Sequence, residues 1–202
     1  MSHSTSNQPG FVWEFASQLP AQMWLWMPGP GWICLLLVGF LAGCNGGPSS
    51  SDWDSLKREI RSEFPSTPTI TVDELEIWLS SAEKLQPLLL DARGREEFKV
   101  SHLRRAESVP SQREALKVLE SVEEERRIVV YCSVGYRSAA LVESLQKQGF
   151  RNAYNLEGSI FEWANQGQPV YRDGQQVNEV HPYDEEWGKF LNHDLWGWGN
   201  SK

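Results

Sequence analysis

A cysteine lies between an apolar run and an amphipathic segment in the second half of this 202-residue chain. Residues 128–131 are apolar and largely β-branched, which predicts a buried strand. Cys132 follows at once, and Arg137, after four intervening residues, begins a segment with apolar positions at helical spacing. A loop between strand and helix directs its N–H groups and the positive end of the helix dipole at one point. We therefore expect Cys132 to have a depressed pKa and to act as a nucleophile near neutral pH.

Two more blocks of sequence flank this loop. Residues 91–106 contain D-x-R, E-F, H-L and A at fixed intervals, and residues 155–163 read N-L-E-G-S-I-x-x-W. Together with C-x-x-G-x-R-S at 132–138, these blocks resemble the rhodanese-type sulfurtransferases, except that Ser159 stands where the family has a second glycine. The resemblance covers residues 68–172, a length typical of one domain.

Strand and helix patterns alternate through residues 68–172, which predicts an α/β fold. We expect a mostly parallel sheet of about five strands with helices on both faces. The resemblance implies an enzyme without a cofactor that transfers a sulfane sulfur through a persulfide on Cys132. Its partners would be a small sulfur donor such as thiosulfate and a thiophilic acceptor, either cyanide or a thiol. A persulfide carrier or a regulatory module without turnover is the alternative.

The length of the loop separates sulfur chemistry from phosphate chemistry. Four residues lie between Cys132 and Arg137, whereas cysteine phosphatases, which resemble rhodaneses, have one more. The longer loop surrounds a tetrahedral phosphate, and the shorter loop fits one outer sulfur atom on the cysteine. Tyr131 also occupies the position where phosphatases commonly have histidine. Sulfur transfer is favoured, and phosphatase or arsenate reductase activity stays open.

The loop residues are assigned roles in binding the donor. Arg137 and the main-chain N–H groups of residues 133–138 are expected to hold the anionic donor and the outer sulfur. Ser138 either donates a hydrogen bond to the Cys132 sulfur or caps the helix. The interpretation requires the sulfur to be accessible at the entrance of the loop. The residues expected to bind substrate are Ser133, Val134, Gly135, Tyr136, Arg137 and Ser138, of which Ser133, Val134 and Tyr136 line the entrance.

The upstream block supplies supporting residues. Asp91 and Arg93 follow an apolar run at the carboxyl end of a predicted strand, where open parallel sheets place their sites. We favour an arrangement in which Asp91, Arg93 and Glu97 pair with one another and hold the pocket wall, since buried charges are normally paired. Arg93 lending positive potential to the pocket is the alternative. His102 is assigned a structural role, because nothing in the sequence places it within reach of Cys132.

Composition argues against several classes of function. The net charge is −8 and Lys and Arg form no cluster, so nucleic acid is not an expected partner. The three cysteines, Cys34, Cys44 and Cys132, lie in unrelated contexts and provide neither a C-x-x-C pair nor a disulfide framework. The four histidines show no zinc-ligand spacing, so we expect chemistry without a metal.

Residues 1–44 are expected to form a disordered leader that contains a targeting signal. The apolar run at 31–42 is short for a membrane span but suits the core of a signal peptide. Residues 41–44 resemble the lipobox of bacterial lipoproteins, in which the cysteine, here Cys44, is acylated. The basic residues that normally precede such a run are missing. An exported, membrane-anchored protein is one interpretation; an uncleaved anchor and a cytoplasmic protein with a leader of no function are the others.

Two segments flank the central domain. Residues 45–67 combine a flexible linker with an amphipathic helix at 52–64, and residues 173–202 form an aromatic-rich extension. We expect the aromatic side chains of the extension to pack back onto the domain, with a partner-facing or membrane-facing patch as the alternative. Inside the domain, residues 113–125 are predicted to form a helix that ends in a run of glutamates.

Overall fold

The computed structural model describes residues 49–82 and 85–199, which pack around a central β-sheet and a small β-hairpin. The predictions for residues 1–44, including those for Cys34 and Cys44, lie outside this range. Within it, no helix is both long enough and apolar enough to span a membrane.

Five parallel strands form the central sheet in the order β1-β5-β4-β2-β3, which confirms the predicted α/β fold. Of the three interior strands, β2 and β4 are buried along their whole length, as is typical of strands covered on both faces. The short strands β1 and β3 form the edges. The strands are β1 (Thr69–Ile70), β2 (Leu88–Asp91), β3 (Glu107–Ser108), β4 (Ile128–Tyr131) and β5 (Ala153–Leu156).

Helices cover both faces of the sheet, and each face has its own hydrophobic core. Side chains alternate along a strand, so Val129 of β4 belongs to one core and Val130 to the other. The first core is covered by α1, α2 and α6, and the second by α4 and α5. The helices are α1 (Ser50–Glu63), α2 (Val72–Ser80), α3 (Arg95–Val100), α4 (Gln112–Leu119), α5 (Tyr136–Lys147), α6 (Ser159–Asn165) and α7 (Glu185–Gly188).

Helix α1 is the amphipathic helix that the sequence predicts at 52–64. It begins with a capping box between Ser49 and Asp52, which satisfies main-chain N–H groups at its first turn. Leu56 and Ile60 are buried in the first core. Arg61 also forms a two-pronged ion pair with Glu157 at 2.6 Å for each hydrogen bond. The helix is therefore fixed to the domain near the end of β5.

The helix predicted at 113–125 is shorter than expected. Helix α4 ends at Leu119, and Glu120 is its C-cap. Four glutamates follow within this stretch, and their negative charges oppose the negative end of a helix dipole. Extending the helix through them would bring these charges onto its last turn, so the chain turns instead. They are Glu120, Glu123, Glu124 and Glu125.

The chain beyond residue 170 packs onto the domain, which is the alternative that the sequence favoured. Strands β6 (Val170–Arg172) and β7 (Gln175–Val177) form an antiparallel hairpin. Asp173 and Gly174 connect them, both with positive φ, as the tight two-residue turn requires. Three apolar side chains further along are buried in the first core: Val180, Phe190 and Leu191.

A buried ion pair stands at the carboxyl end of β2. The side chains of Asp91 and Arg93 are both 0% exposed, and Arg93 Nη2 donates to Asp91 Oδ2 at 2.7 Å. Arg93 Nη2 also donates to the carbonyl of Ser101 at 2.6 Å, which ties β2 to the end of α3. The pairing of Asp91 with Arg93 is the arrangement that the sequence favoured.

Replacing Asp91 by Asn should lower the free energy of unfolding by about 3–5 kcal/mol, because the Arg93 guanidinium would stay buried without a counter-charge. Denaturant unfolding monitored by tryptophan fluorescence measures this change. The matched control is Glu96→Gln, which breaks an exposed pair with Lys99 and should cost less than about 1 kcal/mol. Equal losses in the two variants would show that the buried pair does not stabilise the fold.

Candidate active site

Strand β4, a four-residue loop and helix α5 place Cys132 at the carboxyl edge of the sheet. Tyr131 ends the strand in the core, and Gly135 is the N-cap of the helix. Gly135 has φ +112°, a conformation that residues with a Cβ rarely adopt, so glycine is required where the loop turns into the helix. The loop is thereby bent around the cysteine sulfur.

The donors of the loop point at the Cys132 sulfur. The N–H of Gly135 donates to Sγ at 3.2 Å, and the hydroxyl of Ser138 donates to Sγ at 3.5 Å. Of the two roles left open for Ser138, the structure shows the hydrogen bond to sulfur. The residue lies in the first turn of α5, whose N-cap is Gly135, so Ser138 does not cap the helix.

The turn between β5 and α6 supports the loop from the other side. The N–H of Cys132 donates to the hydroxyl of Ser159 at 3.1 Å, and this hydroxyl donates to the carbonyl of Leu156. Two main-chain bonds return from α6: Ile160 N–H to the Cys132 carbonyl at 3.2 Å and Phe161 N–H to the Ser133 carbonyl at 3.1 Å. Ser159 therefore acts as a structural link to the loop.

The surroundings of Cys132 favour its thiolate. Burial alone raises the pKa of the thiol, because an apolar environment disfavours charge. The positive charge of Arg137 and the hydrogen bonds from Ser138 and Gly135 outweigh burial, so the pKa lies below the ordinary cysteine value. This direction agrees with the depressed pKa expected from the sequence.

Arg137 is held by a carboxylate that the sequence analysis placed elsewhere. Its two terminal nitrogens each donate to Glu97 at 2.9 Å, and one of them also donates to the Ser133 hydroxyl at 2.9 Å. Ser133 in turn donates to Glu97 at 3.1 Å. Burial raises the pKa of Glu97, but Arg137 and Arg93 lower it below the ordinary range. The sequence predicts that Glu97 pairs with Asp91 and Arg93; in the structure it pairs with Arg137 instead.

The Cys132 sulfur is not at an open entrance, contrary to the expectation from sequence. The residue is 1% exposed. Two of the three residues expected to line the entrance are also buried: Val134 packs in the first core, and Ser133 is used in the network with Glu97. Of the loop side chains, Tyr136 and Arg137 reach the surface, with exposed fractions of 38% and 34%.

Tyr136 joins the loop to helix α1. Its hydroxyl donates to Glu63, and its ring contacts the edge of Phe64 at a centroid distance of 5.3 Å. Burial and the Glu63 carboxylate together raise the pKa of the phenol to about 12, so the hydroxyl stays protonated. A role of Tyr136 in binding the donor stays a prediction.

The supporting residues of the upstream block brace the site without touching the sulfur. Asp91 lies beside Tyr131 in the sheet register, and the Arg93 guanidinium stands 5.8 Å from the Tyr131 ring centre. His102 stacks on Phe98 at 4.0 Å, and its main chain pairs with that of Tyr171. His102 thus has the contacts of a structural residue.

The C-terminal extension adds two residues near the site that sequence reasoning missed. The ring of Tyr183 lies over the Arg137 guanidinium, 4.9 Å from its central carbon. His181, two residues earlier, is within electrostatic range of Glu97, Arg93 and Arg137. The sequence marks the aromatic content of this segment, but its proximity to the loop depends on the fold.

Comparison with known proteins supplies the family. The rhodanese-like domain family matches residues 71–166. A probable adenylyltransferase/sulfurtransferase MoeZ of Mycobacterium tuberculosis is 38% identical over 102 residues, which are 50% of this chain and 26% of that protein. A tRNA uridine(34) hydroxylase of Sodalis glossinidius is 30% identical over 123 residues, 56% of this chain and 34% of that protein. The similarity thus spans about a quarter to a third of these relatives.

A solved structure agrees with these sequence matches. The thiosulfate sulfurtransferase of Pseudomonas aeruginosa superposes with a TM-score of 0.51 at 25% identity, over 61% of this chain and 23% of that one. The matched residues 71–166 contain β2, β4, the loop at Cys132 and helix α5. Residues 71–166 therefore match the rhodanese-like domain family, and this part of the chain is similar to sulfurtransferases.

Proposed function

We propose that this protein is a sulfurtransferase that moves a sulfane sulfur from a small donor such as thiosulfate to cyanide or a thiol, through a persulfide on Cys132. The observation that carries the proposal is the convergence of the Gly135 N–H, the Ser138 hydroxyl and the Arg137 charge on one sulfur atom. These groups stabilise negative charge on sulfur, which both the attacking thiolate and the persulfide carry.

The proposed reaction has two displacements at sulfur, and both require the site to open, because Cys132 is 1% exposed in the structure. The Cys132 thiolate attacks the outer sulfur of thiosulfate and forms an S–S bond, and the original S–S bond breaks with its electron pair leaving on sulfite. The acceptor then attacks the outer sulfur of the persulfide. With cyanide as acceptor, thiocyanate forms and the Cys132 thiolate is regenerated. Neither displacement needs an external oxidant or reductant.

The contacts of Arg137 support sulfur transfer over phosphoryl transfer. A phosphate site needs an arginine that is free to bind phosphate oxygens through both terminal nitrogens. In this chain both terminal nitrogens already donate to Glu97. The remaining positive potential acts on the sulfur at short range. An outer sulfur atom, smaller than a phosphoryl group, suits this arrangement.

The burial of Cys132 supports a second candidate, a persulfide carrier that does not turn over freely. A sulfur that is 1% exposed is protected from solvent thiols and oxidants. Such a protein would hold its outer sulfur until a particular acceptor opens the site. The two candidates share the persulfide and differ in the rate of release.

Replacing Cys132 by Ser should reduce thiosulfate-dependent formation of thiocyanate to the uncatalysed rate, because no other described side chain is positioned as a nucleophile in this loop. The matched control is a Cys34→Ser, Cys44→Ser variant, which should keep full activity. Intact mass spectrometry after incubation with thiosulfate should show one added sulfur atom in the control and none in Cys132→Ser.

The rates and the masses together separate the candidates. A stable extra sulfur with negligible transfer to cyanide would support the carrier. Thiocyanate formation by Cys132→Ser at the wild-type rate would contradict both candidates.

Removing the charge of Arg137 and removing the charge of Glu97 should shift the pKa of the Cys132 thiol in opposite directions. The thiolate is present above the pKa, so the rate of Cys132 alkylation rises with pH through that value and then levels off. Arg137→Gln removes the stabilising charge and should move the midpoint to higher pH. Glu97→Gln leaves Arg137 without its counter-charge and should move the midpoint to lower pH.

Alkylation by iodoacetamide, followed on the Cys132 peptide by mass spectrometry, measures both midpoints. Arg137→Gln should also reduce sulfur transfer at neutral pH by about a hundredfold, the usual effect of losing one stabilising group. Arg137→Lys is the control that keeps the charge but loses the two-pronged contact. Midpoints that move in the same direction in Arg137→Gln and Glu97→Gln would contradict the electrostatic assignment.

We also propose export and lipid attachment at Cys44, which rests on the sequence of residues 31–44 alone. Expressed in a bacterium that processes lipoproteins, the full chain should partition into the detergent phase of a two-phase extraction. Cys44→Ala should move it to the aqueous phase, while the matched control Cys34→Ala should not. Partition of Cys44→Ala into detergent would contradict lipid attachment at this residue.

A further inference from the structure

The route to the Cys132 sulfur must pass the few side chains that reach the surface near the loop. The sulfur is buried, and Ser133, Val134 and Ser138 beside it are buried as well. Arg137 is the charged residue of the loop, and its side chain keeps 34% exposure. Arg137 is thus a partly exposed charged group that also acts electrostatically on Cys132, so we infer that an anionic donor approaches the thiol past its guanidinium.

Tyr183 stands against it. The ring lies 4.9 Å from the central carbon of the guanidinium, a cation–π contact, while 46% of the residue remains exposed. Its position at the surface and on the face of Arg137 makes it part of the rim of the site. The residue belongs to the C-terminal extension, outside the region 71–166 that matches the rhodanese-like family.

The main chain holds Tyr183 in this place. Its φ is +72°, a left-handed conformation that a tyrosine adopts only where the surroundings impose it. Its N–H donates to His181 Nδ1 at 3.0 Å, and the edge of Trp198 contacts the His181 ring at 5.3 Å. On the other side, Asp184 caps helix α7 by accepting from Trp187 N–H at 2.7 Å. Hydrogen bonds and ring contacts on both sides of Tyr183 therefore fix the turn that positions its ring.

The extension is anchored on both sides of this turn. Val180 is fully buried and pairs with Trp196 through main-chain bonds, including Val180 N–H to the Leu195 carbonyl at 2.7 Å. Phe190 and Leu191 are buried in the first core. His181 lies near the charges of Glu97, Arg93 and Arg137, and burial lowers the pKa of its imidazole. The turn from His181 to Asp184 therefore presents the Tyr183 ring to Arg137 from an anchored segment.

We propose that Tyr183 is a specificity-determining residue that narrows the route to Cys132, so that small donors and acceptors react with the sulfur and bulky thiols do not. The part of this proposal that concerns sulfur donors rests on the proposed sulfurtransferase function, whereas the restriction on size does not. The aromatic ring restricts size, and the guanidinium beneath it attracts anions. The substrate class that fits both features is a compact anion such as thiosulfate, in preference to a cysteine on the surface of another protein.

The experiment compares the reaction of the Cys132 thiol with a small and a bulky reagent, using the full-length chain. The reagents are iodoacetamide and a maleimide that carries a fluorescein group. Modification is followed on the Cys132 peptide by mass spectrometry, so Cys34 and Cys44 do not interfere. The ratio of the two rates is measured for the folded protein and, as a reference, for the chain unfolded in denaturant.

The folded wild type should disfavour the bulky reagent relative to the unfolded chain. Tyr183→Ala should raise the rate of the bulky reagent about two- to fivefold relative to iodoacetamide, because the bulky reagent would no longer have to displace the ring from an exposed cation–π contact. Tyr183→Phe keeps the ring over the guanidinium and should behave as wild type. The matched control is Tyr171→Ala, which removes the same type of contact from Arg104 and should leave the ratio unchanged.

Two results would overturn the proposal. One is a ratio of the two rates that is the same in the folded and the unfolded wild type. This result can be obtained even if Tyr183→Ala does not fold. The other is an unchanged ratio in a folded Tyr183→Ala. Because alkylation needs no sulfur transfer, failure of the sulfurtransferase assay with an intact size preference would contradict the proposed function and leave the role of Tyr183 supported.

With an active enzyme, the same variants extend the test to substrates. Tyr183→Ala should raise kcat/KM for glutathione persulfide as donor more than for thiosulfate, and Tyr183→Phe should not. A larger gain for thiosulfate than for glutathione persulfide would contradict the assigned preference for compact anions.

Discussion

The site depends on groups that stabilise negative charge on a sulfur atom that is almost fully buried. Burial opposes ionisation of Cys132, and the loop overcomes this with the charge of Arg137 and two short-range donors. Arg137 is itself stable in its position because Glu97 balances it through a two-pronged contact. The Cys132 sulfur, the Arg137 guanidinium and the Glu97 carboxylate thus form one network. Glu97 stabilises the charge of Arg137, and Arg137 stabilises negative charge on the sulfur.

The sheet explains why these groups meet. Strands β2 and β4 are neighbours in register, so Asp91 lies beside Tyr131, one residue before Cys132. Helix α3 begins four residues after Asp91 and brings Glu97 across to Arg137 at the start of α5. The buried pair of Asp91 and Arg93 fixes the segment between β2 and α3 from below. The carboxyl edge of a parallel sheet is where such loops converge.

Most of the fold follows from local patterns, because the apolar runs and helical spacings have few alternatives. The buried strand before Cys132, the amphipathic helix before Pro65 and the Asp173-Gly174 turn are each specified by their own residues. The position of Cys132 between a buried strand and a helix follows from the same patterns. Helix α4 ends several residues before the end that the apolar spacing predicts. The negative charges of the glutamates that follow oppose the helix dipole, and apolar spacing does not report this effect.

The contacts that define the site could not be predicted in this way, because they join residues distant in sequence. Glu97 and Arg137 are 40 residues apart, and from the sequence the Glu97 carboxylate could pair with either Arg93 or Arg137. The position of Tyr183 on Arg137 depends on how a segment outside residues 71–166 folds back. Periodicity describes which face of an element is apolar, but it does not show which remote segment covers that face.

Ser159, which stands where similar proteins have a glycine, links the Cys132 loop to helix α6. Its φ is +50°, a conformation that favours glycine, yet its hydroxyl bridges the N–H of Cys132 and the carbonyl of Leu156. With the two main-chain bonds from Ile160 and Phe161, it couples the cysteine loop to helix α6 as one stiff body. Because these bonds hold the main chain of Cys132, we expect any motion that exposes its sulfur to take place in other segments.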